Sequence, residues 1–322
     1  MKKKRKKKSK LFQILEYAAV YLIITVSRAV PLKAVHLISG SLGNLLYLLV
    51  PRRRNIAIKN LRNAFNGKKN EKEIKDIARQ SCKSFFLTFL EVIRFRSLLT
   101  KPDAINRLRD TTENIDELFH KMKKIHTESG GCIFVTPHLG SWESLSYFSS
   151  IAGVPVAVVV RPLNNVYLEK LLNRAASGQV IIPKKNALFV LQKTLRQGKS
   201  IGMLPDQSTM KGISVDFFGH KATTTPVPAI LAIKYRRPIV VVAYCRKSDN
   251  YHYECFVCDP IWPALYHRGS GSEEFKSKKA EIFRLTEEIN RKMETIIQKY
   301  PEQYLWIHNR WKTYKHKKEI MT

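Results

Sequence analysis

The sequence predicts an α/β fold, with a mixed, largely parallel sheet flanked by helices and preceded by a helical N-terminal segment. Three observations support this prediction. From about residue 130 onward, short apolar runs rich in β-branched residues alternate with helical stretches, which is the pattern of a parallel sheet covered by helices. From about residue 74 to 125, apolar residues recur at helical spacing. The first 50 residues are basic at their start and apolar afterwards.

The N-terminal segment has the composition of a membrane anchor. Residues 1–10 carry eight positive charges, and apolar runs follow at 18–26 and 42–50. Neither run reaches the ~20 apolar residues of a standard transmembrane helix, and no small-residue cleavage site of a signal peptide follows. We therefore expect residues 1–50 to anchor the chain, with the basic start on the cytoplasmic side and residues 51–322 forming the main domain. Whether the anchor spans the bilayer or lies in its interface stays open.

A basic amphipathic helix is predicted directly after the anchor. Residues 51–75 carry nine positive and two negative charges, with Ile56, Leu61 and Phe65 at helical spacing between them. Such a helix is suited to lie on anionic lipid headgroups, and the alternative is an ordinary solvated helix face.

The overall charge predicts an anionic partner. Lysine and arginine number 57 against 26 acidic residues, which gives a formal net charge of +31. Nucleic acid, an anionic membrane, a phosphorylated lipid and an acidic protein all fit this charge, and a lysine-biased surface is the plain alternative. The hydrophobic content of 44% excludes a disordered chain. Five scattered cysteines favour a reducing compartment.

Polar side chains follow three of the predicted strands, where ligands bind in open α/β sheets. They are His138 with Glu143, then Arg161, then Asp206 with Gln207. The six strands themselves are predicted within 132–138, 155–162, 178–183, 200–207, 238–245 and 253–260.

The strongest of these candidates is the pair of His138 and Glu143. A carboxylate that accepts one imidazole N–H fixes the tautomer, so that the other ring nitrogen becomes a base. Such a pair can take a proton from an alcohol that attacks a thioester. The sequence has no G-x-S-x-G nucleophile elbow, which favours direct attack by the acceptor. The alternative is a core histidine beside a solvated glutamate.

Five blocks in order resemble one family, the bacterial lipid A biosynthesis (late) acyltransferases. They are LLVPRRRNIAIKNLRNAF (48–65), HLGSWE (138–143), RPLNN (161–165), LPDQ with VDFFGHKATTT (204–225) and YPEQYLWIHNRWK (300–312). The second block is similar to the H-x-x-x-x-[DE] motif of glycerolipid acyltransferases generally. Ser141 stands where asparagine is common in the family, and Val227 where glycine is usual.

The resemblance implies transfer of a fatty acyl chain from acyl carrier protein, or from coenzyme A, to a hydroxyl of a lipid A precursor. His138 would be the general base and Glu143 its orienting partner. Arg161, Asn164, Asp206 and Gln207 would bind substrate, with Asp206 alternatively supporting the site or capping a helix. The expected partners are anionic membrane lipids, acyl carrier protein and a phosphorylated glycolipid. The expected location is the cytoplasmic face of a bacterial inner membrane.

Other residues of these blocks carry open alternatives. Phe217, Phe218 and Gly219 would shape an apolar tunnel or simply pack. Trp306, His308, Arg310 and Trp311 would lie at the headgroup boundary or form a packed terminus. The single C-x-x-C of Cys255 and Cys258 lacks a second pair, so neither a metal nor a cofactor is expected beyond the acyl thioester.

Three rival functions remain at this stage. The same chemistry could act on a lysophospholipid, an ornithine lipid or a glycosylated phosphoinositide. A basic nucleic-acid-binding protein fits the charge, but no nucleic acid is expected because no recognised nucleic-acid motif is present. An inactive membrane scaffold is the third. Acyl chain length, the donor carrier, the acceptor position and the oligomeric state cannot be predicted from the sequence.

Overall fold

The computed structural model describes residues 9–99, 103–160, 163–172, 180–183, 187–249, 251–264 and 272–313. Its centre is a seven-stranded sheet in the order β1-β9-β8-β2-β5-β3-β4. The neighbours β8, β2, β5, β3 and β4 are parallel, β9 is antiparallel to β8, and β1 is parallel to β9. The predicted α/β class with a largely parallel sheet is therefore confirmed.

All six predicted strands are present, and three further strands are not predicted by the sequence pattern. The strands are β1 (Thr112–Glu113), β2 (Ile133–Val135), β3 (Val156–Val160), β4 (Val180–Pro183), β5 (Ser200–Met203), β6 (Ile213–Phe217), β7 (His220–Thr224), β8 (Ile239–Arg246) and β9 (Tyr253–Val257). The unpredicted ones are the two-residue β1 and the separate antiparallel hairpin of β6 and β7.

Helices cover the sheet and form the N-terminal part of the described chain. They are α1 (Lys10–Ala29), α2 (Leu32–Leu49), α3 (Pro51–Phe65), α4 (Glu71–Leu99), α5 (Ala104–Thr111), α6 (Ile115–Ser129), α7 (Leu145–Ile151), α8 (Val166–Leu172), α9 (Ala187–Arg196), α10 (Val227–Tyr235) and α11 (Ser272–Lys299). Single 3₁₀ turns form at Trp142–Ser144 and Pro301–Gln303.

Helix α2 packs against α4 and leaves leucines exposed. Its buried positions Val35, Ser39 and Gly43 are spaced by four residues, so they form one stripe. A Cβ at Gly43 would lie only 2.4 Å from the Lys83 Cα, so the two helix backbones approach as closely as glycine allows. Within the described ranges, α2 is the one helix long and apolar enough to cross a membrane by length and composition.

Helix α1 is hydrogen-bonded to Asn165, the residue that precedes α8. The Asn165 amide donates to the Gln13 carbonyl oxygen at 2.8 Å and to the Glu16 carboxylate at 3.1 Å. The same side chain caps α8, because its Oδ1 accepts from the backbone N–H groups of Tyr167 and Leu168. The outer face of α1 exposes large apolar side chains, namely Leu11, Phe12, Ile14, Leu15, Tyr21, Leu22, Ile23 and Val26.

The apolar face of α3 packs inside the protein. Leu61 and Phe65 are buried in the main core, and the Phe65 ring lies 6.2 Å from that of Trp306. Asn60 is also buried and donates to the carbonyl oxygens of Trp306 and His308 at 2.7 and 2.6 Å. The sequence prediction that this amphipathic helix lies with its apolar residues on lipid headgroups is therefore wrong for Leu61 and Phe65.

The β6–β7 hairpin turns at Phe218 and Gly219, which both have positive φ angles of 53° and 72°. Two consecutive positive angles are what a tight two-residue hairpin requires. Phe217 and Phe218 are buried against the aromatic side chains of the C-terminal segment, at 5.8 Å from Trp311 and 6.1 Å from Trp306 respectively. Of the two alternatives for these phenylalanines, the structure favours packing.

Candidate active site

Two neighbouring parallel strands deliver the central residues of the site. Strands β2 and β5 pair in register, with Val135 opposite Met203. His138 follows the end of β2 by three residues, and Asp206 follows the end of β5 by three residues. Because parallel strands end at the same edge of the sheet, the two side chains meet although they are 68 residues apart.

His138 and Asp206 are joined by two hydrogen bonds. The imidazole Nδ1 lies 2.7 Å from Asp206 Oδ1, and the His138 backbone N–H donates to Asp206 Oδ2 at 2.9 Å. Both carboxylate oxygens are therefore used to fix one residue. The Asp206 side chain is buried, whereas the His138 side chain is 18% exposed, so the ring is the part of the pair that a substrate can reach.

The contact with Gln207 indicates the tautomer of His138. Gln207 Nε2 lies 3.2 Å from His138 Nε2. An amide N–H can only donate, so the imidazole Nε2 accepts and the proton of the neutral ring is on Nδ1, directed at Asp206. The accepting Nε2 is the nitrogen that would take a proton from a substrate.

Two carboxylates influence the basicity of His138. Burial alone would lower the pKa of His138, but the charge and hydrogen bond of Asp206 raise this pKa above its ordinary value, and the charge of Glu143 adds to the rise. Burial would raise the pKa of Asp206, but His138 and the more distant Arg310 lower it, so Asp206 is ionised. The site therefore holds a carboxylate fixed against an imidazole of increased basicity.

The sequence prediction that Glu143 orients His138 requires a correction. Both ring nitrogens of His138 contact other residues, Asp206 and Gln207. Glu143 lies in the 3₁₀ turn of Trp142–Ser144, and its influence on His138 is electrostatic. Within the described part of the chain, no hydrogen bond joins Glu143 to His138, and the residue that follows the neighbouring strand, Asp206, contacts Nδ1 instead.

Two aromatic residues enclose the pair. The Trp142 ring is buried and lies edge-on to the His138 ring, with 5.5 Å between the ring centroids. The buried Tyr304 hydroxyl interacts with the Asp206 carboxylate, and burial together with that negative charge raises the pKa of Tyr304 well above its ordinary value. Tyr304 was not singled out from the sequence, although it lies in the C-terminal block that resembles the family.

The loop that carries His138 is held by backbone contacts on both sides. The Ser141 N–H donates to the Tyr244 carbonyl oxygen at 2.8 Å, and the Leu305 N–H donates to the His138 carbonyl oxygen at 3.0 Å. Gly140 has a φ of +62°, and a Cβ there would lie 2.2 Å from the Tyr244 carbonyl oxygen. The loop thus requires glycine at position 140, both for conformation and for space.

Replacing Gly140 with alanine is expected to lower the free energy of unfolding by about 2–4 kcal/mol. The cost of a left-handed backbone conformation and the cost of a backbone clash add together. Gly153→Ala is the matched control: Gly153 has a φ of +69°, but a Cβ there meets nothing within 4 Å. We expect the control to cost about 1 kcal/mol, the conformational part alone. Denaturant unfolding of the two variants measures the difference, and equal losses would contradict the steric argument.

A buried ion pair and its neighbours support the same loop. Arg246, at the end of β8, donates to Glu91 of α4 at 2.6 Å, and both side chains are buried. The Thr88 hydroxyl donates to the Gly140 carbonyl oxygen at 2.7 Å. Gln303 exchanges two hydrogen bonds with the Arg246 backbone, at 2.9 and 2.7 Å. Helix α4, strand β8 and the C-terminal segment therefore fix the loop together.

An apolar cavity begins beside the pair of His138 and Asp206. Its volume is about 60 Å³, within a larger space of about 480 Å³ that includes open solvent. Three of the lining residues lie close to the site. Thr136 and Leu204 precede His138 and Asp206 by two positions, and Trp142 contacts the His138 ring. The rest of the lining is mainly apolar: Met122, Phe134, Val135, Leu145, Val156, Val158, Met203 and Val242.

The remaining predicted residues divide into three groups. Arg161 lies outside the described residues, and Asn164 is exposed near the start of α8. Trp306 and Arg310 are fully buried, which fits a packed terminus. His308 Nε2 accepts from the Ser208 backbone N–H at 3.3 Å, and burial lowers the pKa of His308. His308 therefore fixes the residue after Gln207.

Among the residues that the structure describes, no group of three or more histidine, cysteine or acidic side chains could hold a metal ion. Cys255 and Cys258 form no disulfide within the described part of the chain, and Cys255 is buried.

Comparison with known proteins gives a consistent result over almost the whole chain. Residues 5–313 match the family described as bacterial lipid A biosynthesis acyltransferase. A lipid A biosynthesis palmitoleoyltransferase of Escherichia coli (strain K12) is 26% identical over 279 residues, which covers 84% of this chain and 83% of the relative. A lipid A biosynthesis acyltransferase of Shigella flexneri is similar to the same extent.

Proposed function

The chain belongs to the bacterial lipid A biosynthesis acyltransferase family and is an acyltransferase of that type, and we propose that it transfers a fatty acyl chain from an acyl thioester to a hydroxyl of a lipid A precursor. The observation that carries the proposal is the pair of His138 and Asp206 beside an apolar cavity. Acyl carrier protein is the proposed donor, with coenzyme A as the alternative carrier.

In the proposed reaction, His138 Nε2 takes the proton of the acceptor hydroxyl. The oxygen attacks the thioester carbonyl carbon, the C–O bond forms, and the C–S bond breaks as the tetrahedral intermediate collapses. The imidazolium returns its proton to the leaving sulfur, so that a thiol departs. Asp206 stays ionised and stabilises the imidazolium. Gln207 must release Nε2 to the substrate, and its amide is then free to donate to a substrate oxygen.

The cavity provides a site for the acyl chain. Its lining is mainly aliphatic and aromatic, and such a surface binds a hydrocarbon chain by the hydrophobic effect. Gly202 opens one wall between β2 and β3, where a larger side chain would meet Val156 and Val158. A chain bound there would present its thioester at the mouth, beside His138.

The exposed apolar faces of α1 and α2 support attachment to a membrane. Leu48 and Leu49 of α2 are 61% and 68% exposed, and α1 exposes a run of large apolar side chains. We place these helices against the cytoplasmic face of a bacterial inner membrane, because residues 2–8 are all basic and the positive-inside rule keeps such a segment in the cytoplasm. The +31 charge suits anionic lipids, a phosphorylated acceptor and an acidic carrier protein.

The assay that tests the proposal uses purified full chain in a neutral detergent. Labelled acyl thioesters of acyl carrier protein and of coenzyme A, palmitoleoyl among them, are offered with a Kdo-bearing lipid A precursor or with a lysophospholipid. We expect transfer to the lipid A precursor. Transfer to lysophospholipid alone would move the function to the rival acceptor class. No transfer to either acceptor, by a protein shown to be folded, would reject the proposed reaction.

The pH dependence of the reaction follows from the state of His138. A general base must be neutral, and Asp206 and Glu143 raise the pKa of His138 above its ordinary value despite burial, so kcat/KM should fall as the pH falls through that raised pKa. Removing the negative charge in Glu143→Gln lowers the His138 pKa while the bond between Asp206 and Nδ1 is kept, so the acidic limb should move to lower pH. A limb that stays in place in that variant would show that another group titrates.

A further inference from the structure

A second pocket lies between α2 and α4, away from His138. Its volume is about 390 Å³, which lies within the roughly 300–1,000 Å³ range of small-ligand sites, and it is open on one side. Its floor includes Arg246 and Gln303, the two residues that support the His138 loop. Its walls are polar, unlike those of the acyl cavity, so it suits a different ligand.

The polar groups of this pocket include a cation without an acidic partner. Lys83 of α4 is half-buried, and within the described part of the chain it forms no ion pair and no hydrogen bond. Arg246 contacts the same pocket but is neutralised by Glu91. The positive charge of Lys83 therefore remains available for a ligand anion.

A second side chain of the pocket lacks a partner. The Nε2 atom of His36 is closed to solvent and has no hydrogen-bond partner among the residues that the structure describes. Burial lowers the pKa of His36, so the ring is neutral near pH 7 and one of its nitrogens can donate. A buried polar atom without a partner costs stability, and a ligand hydrogen bond would recover that cost if the ring turned its nitrogen to the pocket. Glu302, across the pocket, can accept from a hydroxyl or ammonium group.

The position of the mouth indicates where the ligand comes from. Leu37 lines the pocket and is 72% exposed, on the same helix as the exposed Leu48 and Leu49. The pocket therefore opens beside the apolar surface that would contact lipid. A polar pocket with an uncompensated cation, opening next to such a surface, suits the phosphate of a lipid headgroup.

We propose that this pocket binds the phosphate-bearing headgroup of a membrane phospholipid, with Lys83 at the phosphate. The inference rests on the membrane contact proposed above and does not depend on acyl transfer. Gln303 lines the pocket, and its carbonyl oxygen accepts from the Gly140 N–H of the His138 loop. A bound headgroup would therefore lie beside a residue that supports the active-site loop.

Two substitutions change the pocket and should leave the fold intact. Lys83→Ala removes the cation. Gly40→Leu places a bulky side chain in the pocket, and a Cβ at Gly40 meets nothing within 4 Å, so there is room for the branch point. Leucine is also the better helix former, so the variant should fold. Lys75→Ala is the matched control, an exposed lysine of the same helix that does not line the pocket.

The experiment measures binding to the full chain in a neutral detergent by calorimetry. The probes are dihexanoyl phosphatidylethanolamine below its micelle concentration, inorganic phosphate, and octyl glucoside as a neutral amphiphile. We expect the phospholipid to bind, Lys83→Ala to weaken it by about tenfold or more, Gly40→Leu to abolish it, and Lys75→Ala to leave it unchanged.

Other results would overturn the proposal. Phospholipid binding that is the same in Lys83→Ala and Gly40→Leu would place the ligand elsewhere. Inorganic phosphate that binds as tightly as the phospholipid, with the same dependence on Lys83, would replace a lipid site by a free-phosphate site. Because no arm uses acyl transfer, failure here is distinct from failure of the proposed reaction.

Discussion

Replacing His138 with alanine is expected to reduce acyl transfer by roughly 10²–10⁴-fold, the usual contribution of a positioned general base. The reason is that Nε2 of His138 is the basic nitrogen at the site, held in the accepting tautomer by Asp206 and Gln207. The loop itself should survive, because its contacts to Tyr244 and Leu305 are made by the backbone. The measurement is the single-turnover rate from a labelled acyl carrier protein thioester.

A second variant tests the same prediction if the alanine variant fails to fold. His138→Asn keeps an amide N–H near the position of the imidazole Nδ1, so Asp206 retains a donor, but it has no basic nitrogen. It should lose as much activity as the alanine variant. His120→Ala, which removes an exposed histidine of α6, should keep full activity. Near-normal transfer by folded His138→Asn would end the assignment of His138 as the base.

Replacing Asp206 with asparagine is expected to reduce acyl transfer by roughly 10²–10⁴-fold as well. Asparagine has nearly the same shape but only one accepting oxygen, whereas Asp206 accepts from both Nδ1 and the backbone N–H of His138. The amide can also donate to Nδ1, which selects the tautomer whose Nε2 carries a proton and cannot act as a base. Both effects remove the base without removing the imidazole.

The control for this variant is Asp216→Asn, which removes an exposed carboxylate of β6 that forms an ion pair with Lys221 at the surface. We expect the control to retain activity and stability, because surface ion pairs contribute little. A loss of less than tenfold in folded Asp206→Asn would mean that the hydrogen bond to His138 does not govern the rate.

Much of the sheet could be predicted because its signal is local. Apolar runs such as 238–245 are fully buried in β8, and their β-branched composition together with the turn residues at their ends defines a buried strand. The β6–β7 hairpin lacks this signal. Its strands include Asp216, His220 and Lys221, and its turn uses Phe218 where asparagine or aspartate is usual.

The partner of His138 could not be predicted from spacing along the chain. Glu143 is close in sequence, and a nearby carboxylate is the natural candidate for the orienting role. Asp206 reaches the ring only because β5 is the neighbour of β2 in the sheet, and strand order depends on tertiary packing. The same limit applies to α3, whose amphipathic pattern is equally suited to a membrane surface and to the protein core that buries Leu61 and Phe65.

The most direct test of the central claim, that Asp206 is the group which orients the base, compares Asp206→Asn and Glu143→Gln in one assay. Single-turnover acyl transfer is measured for both variants beside the parent protein at a pH on the plateau of the parent. Because Asp206 contacts Nδ1 and Glu143 acts on His138 only through its charge, Asp206→Asn should lose at least tenfold more activity than Glu143→Gln. The reverse order, a severe loss in Glu143→Gln with Asp206→Asn nearly active, would contradict the claim and restore Glu143 as the orienting residue.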